Sequence, residues 1–372
     1  MIAKPFDLVV IGAGVMGATA ALRAAQGGMR VVVVERDGVG SGASGVNAGT
    51  LSLQIKRVAL MKYALLGHAW WRDAGDAVGF HRTGGYTLAF NAREQALLES
   101  RMTLKREAGA PIEFVTPAQV RAREPALTDR IVAASYCAED GHADSTRTGV
   151  HLRALLREAA IDVREHTPVC GIDAGDAGFR VTTANAGTIP ARRLLLAAGA
   201  WTKSLAALLH VDLPISTRVN TVSVTEPGRK VLTAGIGHAT GLLTLKQKDS
   251  GSFLIGGGWQ GRGSPDTGRG DVAGDTLRQN LQLARFAVPA LAQARVVRSW
   301  TGFEAFVPDY YPLAGALPGV PEAFVLACVR GGYTIGPCIG PLVADLMLGR
   351  EPSLPLFDPA RFAAETLAPS PA

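Results

Sequence analysis

Gly12, Gly14 and Gly17 stand in a GxGxxG spacing directly after the short β-branched run at residues 8–11, and Glu35 closes the apolar run at residues 31–34. Glycines at this spacing suit the binding of a pyrophosphate. The first permits a tight turn, the second lets backbone approach the anion, and the third lets a helix starting near Val15 pack closely on the strand before it. The anion would then sit on a helix N-terminus, where unpaired N–H groups and the dipole favour negative charge. Glu35 lies about 20 residues beyond the turn, where a carboxylate accepts both hydroxyls of an adenosine ribose. A carboxylate there also argues against a 2′-phosphate, since like charges would meet. The whole unit reads strand, turn, helix, strand, so a dinucleotide is the expected ligand.

Other stretches must complete such a site. Residues 38–52 are mostly glycine, alanine and hydroxyl residues, so backbone amides and Ser41 or Ser44 can crowd a polyanion. A flexible linker would be as rich in glycine, but Leu51, Leu53 and Ile55 follow at once. Residues 193–201 read as a buried strand ending in small residues, and the carboxyl end of such a strand faces the cofactor crevice in an open α/β sheet. An ordinary core strand before a turn is the plainer reading. Near the end, the apolar run 323–329 leads into Arg330-Gly331-Gly332-Tyr333-Thr334 and a helix through Leu348, which offers a second anion-friendly helix start.

Between these stretches the pattern predicts helices at 56–79, 93–109, from Thr116 as N-cap, at 146–160 and at 275–287. Strands are expected at 80–90, 161–167, 169–172 and 294–303, a hairpin at 179–183 with 188–190, and a meander at 219–225, 241–246 and 253–257. Only the tail after Pro352 reads as loose.

At 372 residues with 47% apolar content the chain should hold two domains. No apolar run is long enough to span a membrane, the N-terminal run is used as a strand, and the cytoplasm is the expected compartment. Cys137, Cys170, Cys328 and Cys338 show no metal-binding spacing and should be reduced, buried thiols; no metal is expected. The seven histidines are dispersed and read as structural. A net charge of +6 is spread over segments that also carry glutamate. It reads as solvated helix faces or as attraction for anionic substrates or an acidic partner subunit. A basic, aromatic-interleaved nucleic-acid face is absent from this pattern.

Three separated stretches resemble the amine and amino-acid oxidase superfamily of flavoproteins, whose members include glycine oxidase, sarcosine oxidase and D-amino-acid dehydrogenase. They are the N-terminal unit with Ser41-Gly-Ala-Ser-Gly-Val-Asn-Ala-Gly49, then Leu196-Ala-Ala-Gly-Ala-Trp201, then Trp300-Thr-Gly-Phe-Glu304 running on to Arg330-Gly-Gly-Tyr-Thr-Ile-Gly-Pro337. The resemblance implies an α/β fold: a Rossmann-like FAD-binding domain (residues 1–80, 144–215 and 320–372) and an α+β substrate domain on an antiparallel sheet (81–143 and 216–319). It implies FAD contacts from Gly12, Ala13, Gly14, Val15, Met16, Gly17, Glu35 and Arg36. Ser41, Ala43, Ser44, Asn47, Ala48, Gly49 and Leu51 follow, then Val169, Ala198, Gly199 and Trp201, and finally Arg330 to Thr334. The implied reaction is oxidation of a C–N bond of an amino acid or secondary amine to an imine by hydride transfer to flavin N5. Residues 243–257 are similar to a strand pair in the β subunits of hetero-oligomeric sarcosine, opine or proline dehydrogenases. That similarity brings a partner subunit or a non-oxygen electron acceptor into view.

Departures from the pattern bear on the substrate. Where glycine oxidase carries a carboxylate-binding arginine after its Trp-x-Gly-Leu, this chain has Glu304. An anionic group there repels a carboxylate and suits an amine. Arg330, Tyr333 and Glu304 are the substrate candidates, with Arg330 alternatively a brace for its own turn. Tyr310 and Tyr311 either line the site or form a surface turn. The position of the flavin-linked cysteine of monomeric sarcosine oxidase corresponds to Gly302, so FAD should be held without a covalent bond. Two other classes compete with the amine oxidase reading: a nicotinamide-dependent dehydrogenase and an FAD-dependent tRNA-modifying oxidase.

Overall fold

The computed structural model describes residues 4–327 and 331–362. The chain forms two compact units: Met1–Gly45, Thr146–Arg218 and Glu304–Ala372 in the first, Val46–Ser145 and Val219–Phe303 in the second. Residues 46–80, expected with the first segment, cluster with the second unit because Thr50 and Leu51 pair with His142 and Gly141. Residues 304–319 cluster with the first unit, where Leu313–Ala316 pairs with Ala323–Ala327.

In unit 1 the sheet runs Leu313–Ala316, Ala323–Ala327, Gly187–Leu196, Phe6–Ile11, Val31–Val34, Asp162–Arg164. All pairs after the first are parallel. Val31 to Val34 are buried throughout, as strands covered on both faces must be. Gly187–Leu196 is one strand where a hairpin arm and a separate strand were expected. Its first half pairs antiparallel with Gly178–Thr183, and its second half lies parallel to Phe6–Ile11. The alanine-rich helix Val15–Gln26 and the helix Gly332–Met347 approach closely. A Cβ on Gly336 would stand 2.9 Å from Val15 Cγ1, and one on Gly340 would run into Thr19 Oγ1.

The last described residues are less loose than the sequence suggests. Phe357 stacks on Tyr311 with centroids 5.7 Å apart, and the Arg361 guanidinium pairs with Asp309 at 2.8 Å. Cys137 and Cys338 are buried as expected, whereas Cys170 is exposed because it alternates outward on the edge strand Val169–Gly175; Cys328 lies outside the described residues.

Unit 2 is built on an eight-stranded sheet ordered Val296–Phe306, Ser216–Thr225, Phe253–Gly256, Thr244–Gln247, Gly235–His238, Gly85–Ala89, Ala133–Cys137, Ile112–Val115. Gly235–His238, not anticipated, lies parallel to Gly85–Ala89 inside an otherwise antiparallel arrangement. The expected helix 56–79 is Met61–Ala74 with a 3₁₀ turn at each end, stopped by Gly75 and Gly79 at positive φ. Thr116 forms a full capping box with Gln119 at the start of Pro117–Arg123.

Candidate functional site

The glycine turn in unit 1 has the shape that close approach to an anion requires. Gly12 has φ +107°, and a Cβ there would strike the Ala197 carbonyl. A Cβ on Gly17 would strike Gly12 O, so both positions are closed to side chains. A Cβ on Gly14 meets only Ser44 Oγ, at 3.2 Å, which leaves its face open for a ligand.

Glu35 sits at the end of Val31–Val34 and accepts the Ala13 N–H at 2.7 Å and the Asp37 N–H at 3.0 Å. Burial raises its carboxyl above the usual range, and those two backbone bonds pull it back. The carboxylate thus fixes the turn that follows the first strand. Arg36 is engaged elsewhere: it pairs with Asp37 at 2.7 Å, and its guanidinium lies 4.0 Å from the centroid of the Trp201 ring.

Ser44 caps the first helix from afar, accepting the Val15 N–H at 3.0 Å. This contact ties the Ser-rich stretch to the glycine turn, and it uses one of the helix N-terminal donors that the sequence pattern leaves for a ligand. Gly40 N–H donates to Ala13 O at 2.9 Å, so residues 38–45 are folded back as a wall and not extended as a linker. Ala198 precedes the 3₁₀ turn Gly199–Trp201, with Gly199 at φ +55°. Val169 opens the edge strand of the antiparallel arm. Gly331, at φ +93°, starts the helix that holds Tyr333 and Thr334. The Tyr333 hydroxyl bonds Thr148 Oγ1 at 2.7 Å, and Thr334 is buried. Arg330 lies outside the described residues. Tyr310 has φ +63° and packs edge-on against Phe306, and its N–H donates to Val307 O, which is the turn geometry.

Unit 2 carries the rest of the glycine-rich stretch. Asn47 Oδ1 accepts the Gly49 N–H at 2.5 Å, and Gly49 at φ +68° leaves no room for a Cβ against Ala143 O. Ala48 stands between them. Leu51 is fully buried. Behind it Asp140 is the hub of a buried network. It accepts Ser52 Oγ at 2.5 Å, Leu53 N–H at 2.8 Å and Gln54 Nε2 at 3.2 Å, and burial raises its carboxyl. Lys105 Nζ donates to the Gln54 carbonyl, and burial lowers it to about 8. Lys246, on Thr244–Gln247, is buried and donates to Thr50 Oγ1 at 2.7 Å; burial and then Lys248 lower it to about 7. Neither buried lysine was anticipated from the sequence. For Lys246 the one signal was a charged residue inside an apolar strand pattern; Lys105 lies on the charged helix Ala92–Glu107 and gave none. Glu304, the first residue of the last segment of unit 1, is half-buried on Val296–Phe306.

The arrangement in unit 1 fits FAD on its own geometry: a glycine face left open at Gly14, two glycines that no side chain can replace, and a buried carboxylate at the strand end. The sequence pattern of the family described as DAO, FAD dependent oxidoreductase, matches residues 7–346. The chain belongs to this family. It is an enzyme of the FAD-dependent oxidoreductase kind, and the nicotinamide alternative falls away. The chain is 28% identical to one of the subunits of opine oxidase from Agrobacterium tumefaciens (strain Ach5), over 96% of this chain and 98% of the relative. It is 30% identical to glycine oxidase of Pseudomonas aeruginosa, with the same two coverages. Glycine oxidase from Geobacillus kaustophilus superposes with a TM-score of 0.85 at 26% identity, covering 97% of this chain and 98% of that one. L-proline dehydrogenase from P.horikoshii gives a TM-score of 0.90 at 24% identity, covering 97% and 99%, which speaks to fold alone. Among the described residues no helix is long and apolar enough to cross a membrane.

Proposed function

We propose that this member of the DAO family oxidises the C–N bond of an amino acid or N-substituted amino acid to an imine, with unit 1 holding FAD. The observation that carries the cofactor assignment is the pairing of Glu35 with the Ala13 amide at the end of the glycine turn. The substrate class is supported by the relatives, an opine oxidase subunit and glycine oxidases. FAD, when bound, supplies the acceptor for a hydride equivalent from the carbon next to nitrogen.

The chain's own residues do the rest. Gly12, Gly14, Gly17 and Ser44 shape the pyrophosphate cradle, and Glu35 takes the ribose hydroxyls. Gly331 to Thr334 present a second helix start. Tyr333, fixed by Thr148, and Glu304 orient the substrate, Glu304 by holding an amine. Retention is non-covalent, since Gly302 stands where a linking thiol would be. Similarity over nearly the full length to one component of an opine oxidase supports a partner subunit, and with it an acceptor other than oxygen.

Anaerobic mixing of the holoenzyme with a panel of amino acids, N-methyl amino acids, proline and opines tests the reading. Bleaching of the 450 nm band by at least one of these is the expected result. A yellow protein that none of them bleaches would refute the substrate class.

A further inference from the structure

Lys246 is 4% exposed, and its amine donates to Thr50 Oγ1 at 2.7 Å. Among the described residues no carboxylate pairs with it. The charged groups around it are cationic or already committed. Lys248 lies two residues on, just past the end of the same strand, and is 3.9 Å from Asp144. His142, on the strand that pairs with Thr50, stays neutral, burial and then Lys246 pushing it down to about 2. His81 stacks on His142 with centroids 5.2 Å apart, and Asp249 bonds Lys230 at 2.6 Å. A buried amine with no counter-charge is pushed toward its neutral form, and it becomes an ammonium only when an anion stands beside it. An anion beside it would supply that charge. The Thr50 hydroxyl accepts from Lys246, so its own proton is left to donate to the same anion.

We propose that Lys246 Nζ and Thr50 Oγ1 bind a carboxylate of the substrate, so that the enzyme selects amines that carry an acid group. This rests on the amine-oxidation reading for the word substrate, but the site itself is a property of unit 2. Carboxylate geometry suits the pair, with one oxygen on the ammonium and the other on the hydroxyl.

Calorimetry on the holoenzyme with acetate and malonate, which cannot be oxidised by hydride loss next to nitrogen, tests the site without turnover. With the free amine near 7, Lys246 is mostly neutral at pH 8, so binding should draw about one proton from buffer. The uptake is read from the heat difference between two buffers of unlike ionisation enthalpy. Affinity should fall about tenfold per pH unit above that value, until the bound amine itself deprotonates. Lys246→Met should abolish the uptake and weaken carboxylates about ten- to hundredfold. Thr50→Val should weaken them less and keep the uptake.

Wild-type protein that binds neither probe, or binds without proton uptake, would overturn the site whether or not the variants fold. Tighter binding of inorganic phosphate than of either carboxylate would overturn it too, by assigning the pair to a phosphoryl anion. Flavin bleaching in wild type and Lys246→Met separates the two readings. Bleaching by amino acids that the variant leaves unchanged sinks the carboxylate site alone. Absence of bleaching by any amine sinks the oxidation reading, and the calorimetry still judges the site.

Discussion

Replacing Glu35 by glutamine isolates what its charge does. The carboxylate has two duties, holding the Ala13 and Asp37 amides and, on the proposed reading, accepting two ribose hydroxyls. Glu35→Ala confounds them, because the Ala13 N–H loses its acceptor at a cost of about 1–3 kcal/mol to the apoprotein. Glutamine keeps one oxygen for Ala13, turns an NH2 toward the exposed Asp37 N–H and so gives up that bond to water, and removes the charge that burial penalises. The sign of that penalty follows from linkage. A carboxyl raised in the folded state binds more protons there than in the unfolded chain, so its contribution is greatest at acid pH and is lost as pH rises through the folded value. At pH 7 the neutral amide escapes this loss, which offsets the lost Asp37 bond, and the Glu35→Gln apoprotein should melt close to the wild-type temperature. Affinity for FAD should move the other way. A hydrogen bond to a charged acceptor is worth about 1 kcal/mol more than a neutral one, so two hydroxyls give about 2 kcal/mol, roughly 30-fold in Kd. Thermal melts of the apoprotein and fluorescence titration with FAD measure the two quantities. A variant that binds FAD within threefold of wild type would remove Glu35 from the ribose site.

Gly302→Cys tests steric room, since its Cβ would stand 2.6 Å from Val46 Cγ2 while the Trp300 indole holds Val46 O at 2.7 Å. It should cost about 1–3 kcal/mol, and Val46→Ala in the same chain should recover most of the lost melting temperature. Acid precipitation of the holoenzyme should leave the yellow colour in the supernatant; flavin fluorescence on the denatured chain in a gel would show a covalent bond. Lys105, lowered to about 8, takes up a proton more readily in the unfolded chain, so stability should rise between about pH 8 and 10. Lys105→Met should flatten that rise in denaturant melts taken across the range; an unchanged slope would refute the assignment.

The first strand, the glycine turn and Val31–Val34 were legible because each residue type there answers a local demand: β-branched side chains for a strand covered on both faces, and glycine where a Cβ would meet Ala197 or Gly12. What escaped depends on distant partners. Ser44 reads as one small residue among many until it caps Val15, and Gly235–His238 has few residues and two glycines, so only its neighbours on both sides make it a strand.

Lys246 and Asp140 show why the polar interior of unit 2 was hidden. Periodicity places a residue on a face, and a charged residue in an apolar register is read as an exception facing solvent. Lys246 instead faces inward, Asp140 does so from the turn after Ala133–Cys137, and the two meet the cost of burial differently. Asp140 is surrounded by donors from Ser52, Leu53 and Gln54, so its burial is compensated within the fold and it serves as a structural hub. Lys246 has one hydroxyl acceptor and no counter-charge from the described residues. A fold that surrounds one buried carboxyl with three donors and leaves a buried amine with a single bond holds that amine near neutrality, and on the proposed reading an anion from solution is what charges it. That contrast is what separates a scaffold charge from a binding one.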